Sequence, residues 1–188
     1  MFCYGMVSFD FIYNYSSTYA TYLVSDKIIS LFSNADLRKT TFWDKNKKPH
    51  KFSSTNSQSY GNTYRLSEAY LNRAEALVFL DKWESAITDI NTIREKRIEN
   101  DYEITATNRE GALNKVWEER RRELCFEKHR WFDLRRQGMP ELRHIFTNGG
   151  SRKEYILPAG SKSYTLPIPK KIREQNKIIV NIERPEQQ

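Results

Sequence analysis

The sequence has little of what stapled or metal-centred proteins rely on. Its 188 residues hold two cysteines, Cys3 and Cys125, too far apart and too differently placed for a disulfide framework or a metal-ligand spacing. The three histidines, His50, His129 and His144, form no HxxxH or HxH pattern and so give no basis for a zinc site. No run approaches the roughly 20 apolar residues of a membrane-spanning helix. The start, MFCYGMVSFDFIYNYSS, lacks the basic region of a signal peptide, and Asp10 interrupts its apolar run. No hydrophobic segment precedes Cys3, so as written it is not a lipidation cysteine. Neither cysteine indicates a compartment.

What is present suits one domain. A hydrophobic fraction of 38% with 13% aromatics can build a core, although a mean hydropathy of −0.77 marks a heavily charged protein. The net charge of +7 is uneven. Residues 1–108 carry 13 basic and 13 acidic side chains, whereas 109–188 carry 18 and 11. Such an excess fits a polyanion partner, but interleaved acids favour a solvated helix face.

Residues 8–16, SFDFIYNYS, alternate apolar and polar side chains and predict an extended segment. Residues 25–38 predict a short helix capped by Ser25 or Asp26, with Ile28, Ile29 and Phe32 as its apolar stripe. Residues 44–62 are polar and aperiodic, a long loop. A helix then runs from about Thr63 to Phe79, its face made by Leu66, Ala69, Tyr70, Ala74 and Leu77. The next starts at Asp81, which with Glu84 has capping-box spacing; Trp83, Ala86, Ile87, Ile90 and Ile93 form its inner face. The short connection predicts an antiparallel hairpin. Thr107 and Glu110 open a third helix, with Leu113, Val116, Trp117 and Leu124 as its stripe and Arg120 in the same column. A fourth, about His129 to Gln137, is stopped by Gly138 and Pro140. TNGGSRK (147–153) is a turn. Residues 155–171 are punctuated by prolines at 158, 167 and 169, which favour extended backbone over helix.

The run 118-EERRRELCFEKHRWFDLRRQG-138 admits several chemistries. Cys125 and His129 are spaced as a nucleophile and base on a helix, but no third orienting group accompanies them. Glu118, Glu119 and Glu123 could serve as paired carboxylates. Each has an arginine three or four residues away, however, as in surface pairs worth ~0.2–0.5 kcal/mol, and pairing lowers a carboxyl pKa, the wrong direction for a general acid. Arg120, Arg121, Arg122, Arg130, Arg135 and Arg136 with Trp131 could bind nucleic acid, yet consecutive helical residues point about 100° apart and make no single stripe. Arg120, in the apolar column, is expected buried against a carboxylate, and Trp131 and Phe132 are expected in the core.

The pair 74-AEALVFLDKWESAITDIN-91 resembles a tetratricopeptide repeat, with Ala74 and Ala86 for close helix approach and Trp83 after the turn. Asp81 stands where such repeats have glycine nearby. One such unit is clear, and repeats need neighbours to bury their faces, so the chain reads as a piece of something larger.

Four ordered blocks, 28-IISLFSNADLR-38, 65-RLSEAYLNRAEAL-77, 119-ERRRELCFEKHRWFDLRRQG-138 and 164-YTLPIP-169, resemble the SusD/RagB family of nutrient-binding lipoproteins of Bacteroidetes. The resemblance covers about residues 20–175. Three departures stand out: Lys128 where the family has glycine, the end NIERPEQQ in place of an Asn-Pro-Gly-Tyr-like close, and no N-terminal half. The resemblance implies a mainly α fold with tetratricopeptide-like hairpins, long loops and a proline-rich extended C-terminal segment. Residues 1–188 would form a single C-terminal domain fragment, with a loop-rich segment 1–62, a helical core 63–138 and an extended tail 139–188.

The same resemblance implies capture of a nutrient, an oligosaccharide foremost, at the outer-membrane surface. The ligand would pass to a SusC-like TonB-dependent transporter without catalysis, cofactor, metal or nucleic acid. Helices would dock the transporter and loops would hold the ligand. Sugar rings need flat aromatic faces, and the sequence has four Trp, eleven Tyr and ten Phe. Tyr13, Tyr15, Tyr19, Tyr22, Phe42, Trp43 and Tyr60 lie outside the helical stripes, each expected to pack rather than stack on ligand, and no binding residue is assigned. A generic helical-repeat scaffold for peptides and a basic nucleic-acid binder remain the alternatives.

Overall fold

The computed structural model describes residues 23–49, 51, 65–127, 129–148, 150–176 and 178–180. The chain forms two compact units, residues 1–128 and 129–188. The alternating segment 8–16, together with Tyr13, Tyr15, Tyr19, Tyr22, His50, Tyr60 and Lys128, lies outside the described residues.

The first unit is helical: α1 (Asp26–Ile29), α2 (Arg38–Phe42), α3 (Leu66–Phe79), α4 (Trp83–Glu95) and α5 (Arg109–Glu123). Helix α3 is rich in Leu, Ala and Glu, all strong helix formers. It buries Leu71, Ala74, Glu75 and Val78, the i, i+3, i+4, i+7 set. Of the expected face, Ala74 is fully buried and Tyr70 and Leu77 pack on the core, but Leu66 is 74% exposed. The acid Glu75 sits inside the true stripe and disguised it.

Asp81 does not cap α4. Its φ is +60°, and it lies just past the end of α3. The Lys82 N–H donates to Leu77 O at 2.8 Å and the Asp81 N–H to Val78 O at 3.1 Å. These two bonds close a Schellman stop that favours glycine. Asp81 therefore occupies the glycine-type position of the hairpin turn, and α3 and α4 pack against each other across it. Helix α4 presents Ala86, Ile87, Ile90 and Ile93, all buried as expected.

Helix α5 starts one residue later than predicted. Asn108, not Thr107, is its N-cap, and its Oδ1 accepts from the Gly111 N–H at 2.7 Å, satisfying one of the otherwise unpaired first-turn donors. Helix α5 lays Ala112 and Val116 on the α3–α4 pair, and with Leu124 they complete the larger core. A smaller core gathers Val24, Phe32, Phe42, Trp43 and Cys125. Phe32 meets Phe42 and Trp43 edge-on, at centroid distances of 6.2 and 5.0 Å, the geometry that aromatic quadrupoles prefer. Leu124 and Cys125 are consecutive, so the end of α5 is covalently tied to both cores.

The second unit holds α6 (Arg130–Arg136), an antiparallel hairpin of β1 (Leu142–Asn148) and β2 (Ser151–Leu157), a 3-10 turn at Lys162–Tyr164 and α7 (Lys170–Gln175). Helix α6 ends as predicted at Gly138, whose φ is +94°. The predicted turn 147–153 is narrower than expected: Thr147 and Asn148 end β1, and Ser151, Arg152 and Lys153 begin β2, with Gly150 at φ +85° before them. Residues 155–157, read as irregular extended chain, pair in the second strand. Pro169 does not forbid helix but starts one, serving as the N-cap of α7, because proline lacks only an N–H that a helix start leaves unpaired. Trp131 stacks on Tyr164 with centroids 4.9 Å apart, and the fully buried Tyr164 donates its hydroxyl to Pro140 O. Trp131 thus packs as expected, whereas Phe132 is 62% exposed and is not core. The fold is mainly α, and the α3–α4 hairpin is compatible with a tetratricopeptide-type unit.

Candidate functional site: a buried arginine–carboxylate network

The chemistry-bearing residues of the first unit converge at the C-terminal end of α5. Positions 112, 116, 119, 120 and 123 share its buried face. The helix therefore continues an apolar column with two acids, and Glu119 and Glu123 are completely buried. Both were expected to pair with arginines three or four residues away on their own helix in an ion-pair network. Glu118 and Glu119 do so with Arg122, at 3.2 and 3.1 Å, whereas Arg38, Arg65 and Arg97 meet Glu123 from other segments.

Arg38 at the start of α2 is the hub. Its Nε and Nη2 donate to Asp36 at 2.9 and 2.8 Å, and its Nη1 reaches Glu119 at 2.6 Å and Glu123 at 3.1 Å. Burial alone would lower its pKa, but hydrogen bonding to Asp36 and the charges of Glu119 and Asp36 outweigh burial and raise it. Asp36 is fixed in turn by accepting from the Arg38 N–H at 3.0 Å. Glu119 also accepts from Arg94 at 3.2 Å and Arg122 at 3.1 Å. Arg94 is oriented by donating to Tyr102 O and Arg122 by donating to Leu31 O.

Glu123 is held by three arginines. Arg97 grips it with both prongs at 3.1 Å, joined by Arg38 and by Arg65 at 3.2 Å. Burial pushes its pKa up, but the Arg97 hydrogen bonds and the charges of Arg97, Arg38 and Arg65 prevail and bring it down to about 2. Glu127 extends the network, accepting from Arg65 and Lys51. Lys51 also donates to Glu123 O and Cys125 O and lies 4.0 Å from the Phe42 ring centroid. Its burial lowers its pKa to about 8 against the opposing charge of Glu127. Among the described residues, then, six cations enclose four carboxylates, Asp36 from one chain segment and Glu119, Glu123 and Glu127 from another.

A buried ion network adds little net stability, because desolvation cancels most of the attraction, but removing one member is costly. Planar, forked guanidinium groups fix direction as well as distance. The network locks the 36–38 turn, the end of α4 and the end of α5 into one arrangement. Such an arrangement holds a scaffold, and the depressed pKa of Glu123 is the wrong direction for a general acid.

The other sequence candidates are distributed differently. The Cys125 thiol is buried, and its pKa is pushed up to about 11 by that burial, which disfavours a nucleophile; His129 belongs to the second unit. His144 lies on β1. Phe42 and Trp43, weighed as sugar platforms, are 7% and 6% exposed and are core residues. Arg120 is buried as expected, and its Nη1 donates to the Asn72 amide oxygen at 2.7 Å. Arg120 and Arg122 point inward and Arg136 pairs with Asp133 at 2.9 Å, whereas Arg130 and Arg135 are exposed, so only part of the basic run faces solvent. Sequence reasoning missed Asp36, Arg38, Arg94 and Arg97; the available signal was the pair of acids continuing the Ala112–Val116 column. No helix among the described residues is long and apolar enough to cross a membrane.

The fold is similar to that of a solved SusD-like carbohydrate binding protein from Bacteroides vulgatus, with a TM-score of 0.60 at 21% identity over 83% of this chain and 40% of that one. A SusD-like protein from Bacteroides fragilis is also similar, with a TM-score of 0.46 at 23% identity over 61% of this chain and 24% of that one. The chain thus spans about two fifths of the length of the first. No curated protein matches significantly. The family model described as the SusD family matches residues 37–184, taking in the whole network except Asp36, and the chain belongs to that family.

Proposed function

We propose that the chain is the C-terminal part of a non-catalytic protein that captures an oligosaccharide at the outer-membrane surface and passes it to a SusC-like TonB-dependent transporter. The observation that carries the reading is the family match across residues 37–184. The carbohydrate-binding description of the Bacteroides vulgatus protein supports the ligand class. The network fits a scaffold role: rigid helices whose charged residues are spent on one another leave recognition to loops and docking to helix faces. Binding without chemistry also agrees with a buried, high-pKa Cys125.

The test is a panel of oligosaccharides screened by calorimetry, followed by mass spectrometry of the recovered ligand. At least one glycan is expected to bind and to return unchanged in mass. Cleaved or modified sugar would refute the non-catalytic reading. Binding to DNA that falls steeply with salt, in the counterion-release manner, with no response to any glycan, would replace it. Pull-down with a SusC-like transporter tests the partner separately.

A further inference from the structure

The network is not sealed. Beside Glu123 a cleft of about 250 Å³ opens between the end of α4 and the start of α2. Arg65, Lys96 and Arg97 stand on its charged side, Thr41 offers a hydroxyl, and Leu37 and Phe42 supply an apolar wall. Arg65 and Arg97 are about one-third exposed, and Lys96 is two-thirds exposed. Among the described residues of the lining Glu123 is the only carboxylate, and it already serves Arg38, Arg65 and Arg97. A guanidinium has five N–H donors. On Arg65 three are engaged, by Glu123 Oε1, Glu123 O and Glu127. On Arg97 three are engaged, two by Glu123 and one by Lys96 O. Among the contacts of the described residues, both thus keep donors for an incoming group. Lys96 meets Glu95 at 3.2 Å, and Arg65, Arg97 and Lys96 still place three cationic groups at the opening, where low-dielectric walls strengthen their attraction for an anion.

We infer that this cleft binds one carboxylate-bearing sugar unit, a uronate, with Arg97, Arg65 and Lys96 on the carboxylate and the half-exposed Leu37 side chain against the ring. The volume lies below the roughly 300–1,000 Å³ of drug-sized pockets, which suits a single small ring rather than a chain. A carboxylate is the matching anion because forked guanidinium groups meet its two oxygens in plane. The inference rests on the carbohydrate reading and narrows it to an acidic sugar.

The experiment titrates the 188-residue chain with galacturonate, galactose and acetate, reading binding by calorimetry at low salt, beside a panel of neutral oligosaccharides. Galacturonate is expected to bind and galactose and acetate are not. Lys96→Gln removes an exposed cleft charge without touching the network. It should weaken galacturonate about threefold to fivefold, the scale of one exposed ion pair, while Lys27→Gln, outside the lining, leaves binding unchanged. Equal binding of galactose, equal binding of acetate, or indifference to Lys96→Gln each overturns the uronate site. If neutral oligosaccharides bind while galacturonate does not, the inference fails and the carbohydrate reading stands. If no sugar of either kind binds, both fail.

Discussion

Replacing Glu123 with glutamine keeps the side chain's shape and removes its charge from among three arginines. The carboxyl is fully buried, so solvent screening does not blunt the effect. Its folded pKa of about 2 stands against an ordinary 4.5, a difference equivalent to about 3 kcal/mol at 1.36 kcal/mol per pKa unit. The sign follows from proton counting. Above pH 4.5 both folded and unfolded states are ionised and the stabilisation is fully present; as pH falls toward 2 the unfolded state takes up the proton first and the stabilisation is lost. Glu123→Gln should therefore cost about 3–5 kcal/mol at pH 7, the range for breaking a buried pair. The gap between wild type and variant should narrow by about 3 kcal/mol between pH 4.5 and pH 2. Urea unfolding of both proteins across that range measures it; taking the difference cancels carboxylates common to both. Glu118→Gln, on the exposed acid, should change stability by less than about 0.5 kcal/mol. A Glu123→Gln cost as small as that of Glu118→Gln, or a gap that stays constant with pH, would refute the account of the network.

Other consequences follow the same physics. Lys51 has its pKa lowered to about 8 from 10.5, so between those values the unfolded state holds more protons. Wild type should gain up to about 3 kcal/mol relative to Lys51→Met as pH rises through that window; a flat difference would contradict the burial of the amine. Asp81→Gly should stabilise by about 0.5–1 kcal/mol, because φ +60° suits glycine, and a lower melting temperature would show that the turn is not left-handed. Cys125, with its thiol at about pH 11, should react with iodoacetamide far more slowly in the folded protein at pH 8 than in 6–8 M urea, and equal rates would sink the burial claim.

Much of the helical frame could be read in advance because it depends on short-range pattern. The α4 stripe, the Gly138 stop and the hairpin of α3 with α4 each require only neighbouring residues. The failures share a different origin. Asp81 and Glu84 have the spacing of a cap, yet a helix end competes for the same residue, and the left-handed stop of α3 prevails. Phe126 shows a similar conflict: its φ is +67°, a conformation that costs a bulky residue about 1 kcal/mol. No local signal marks it, because what holds that backbone is the set of contacts at Glu123 O, Cys125 O and Glu127 made by Lys51, more than 70 residues away.

The network is the extreme case. Residue types on α5 suggest charge facing water, since charged side chains are almost never fully buried unless paired. The pairing that reverses this comes from Arg38, Arg94 and Arg97, which lie 81, 25 and 26 residues from their partners Glu119, Glu119 and Glu123. No windowed pattern spans such distances. Helix geometry nevertheless leaves one trace. Glu119 and Glu123 fall on the column of Ala112 and Val116, and two acids four apart on an apolar stripe cannot be buried without cations brought to them. Arg122 of that run and Arg38, Arg94 and Arg97 of the segments before it are therefore better understood as counter-charge for an interior than as a surface for a polyanion. That interior opens to solvent beside Arg97, where Arg65 and Lys96 also line the cleft.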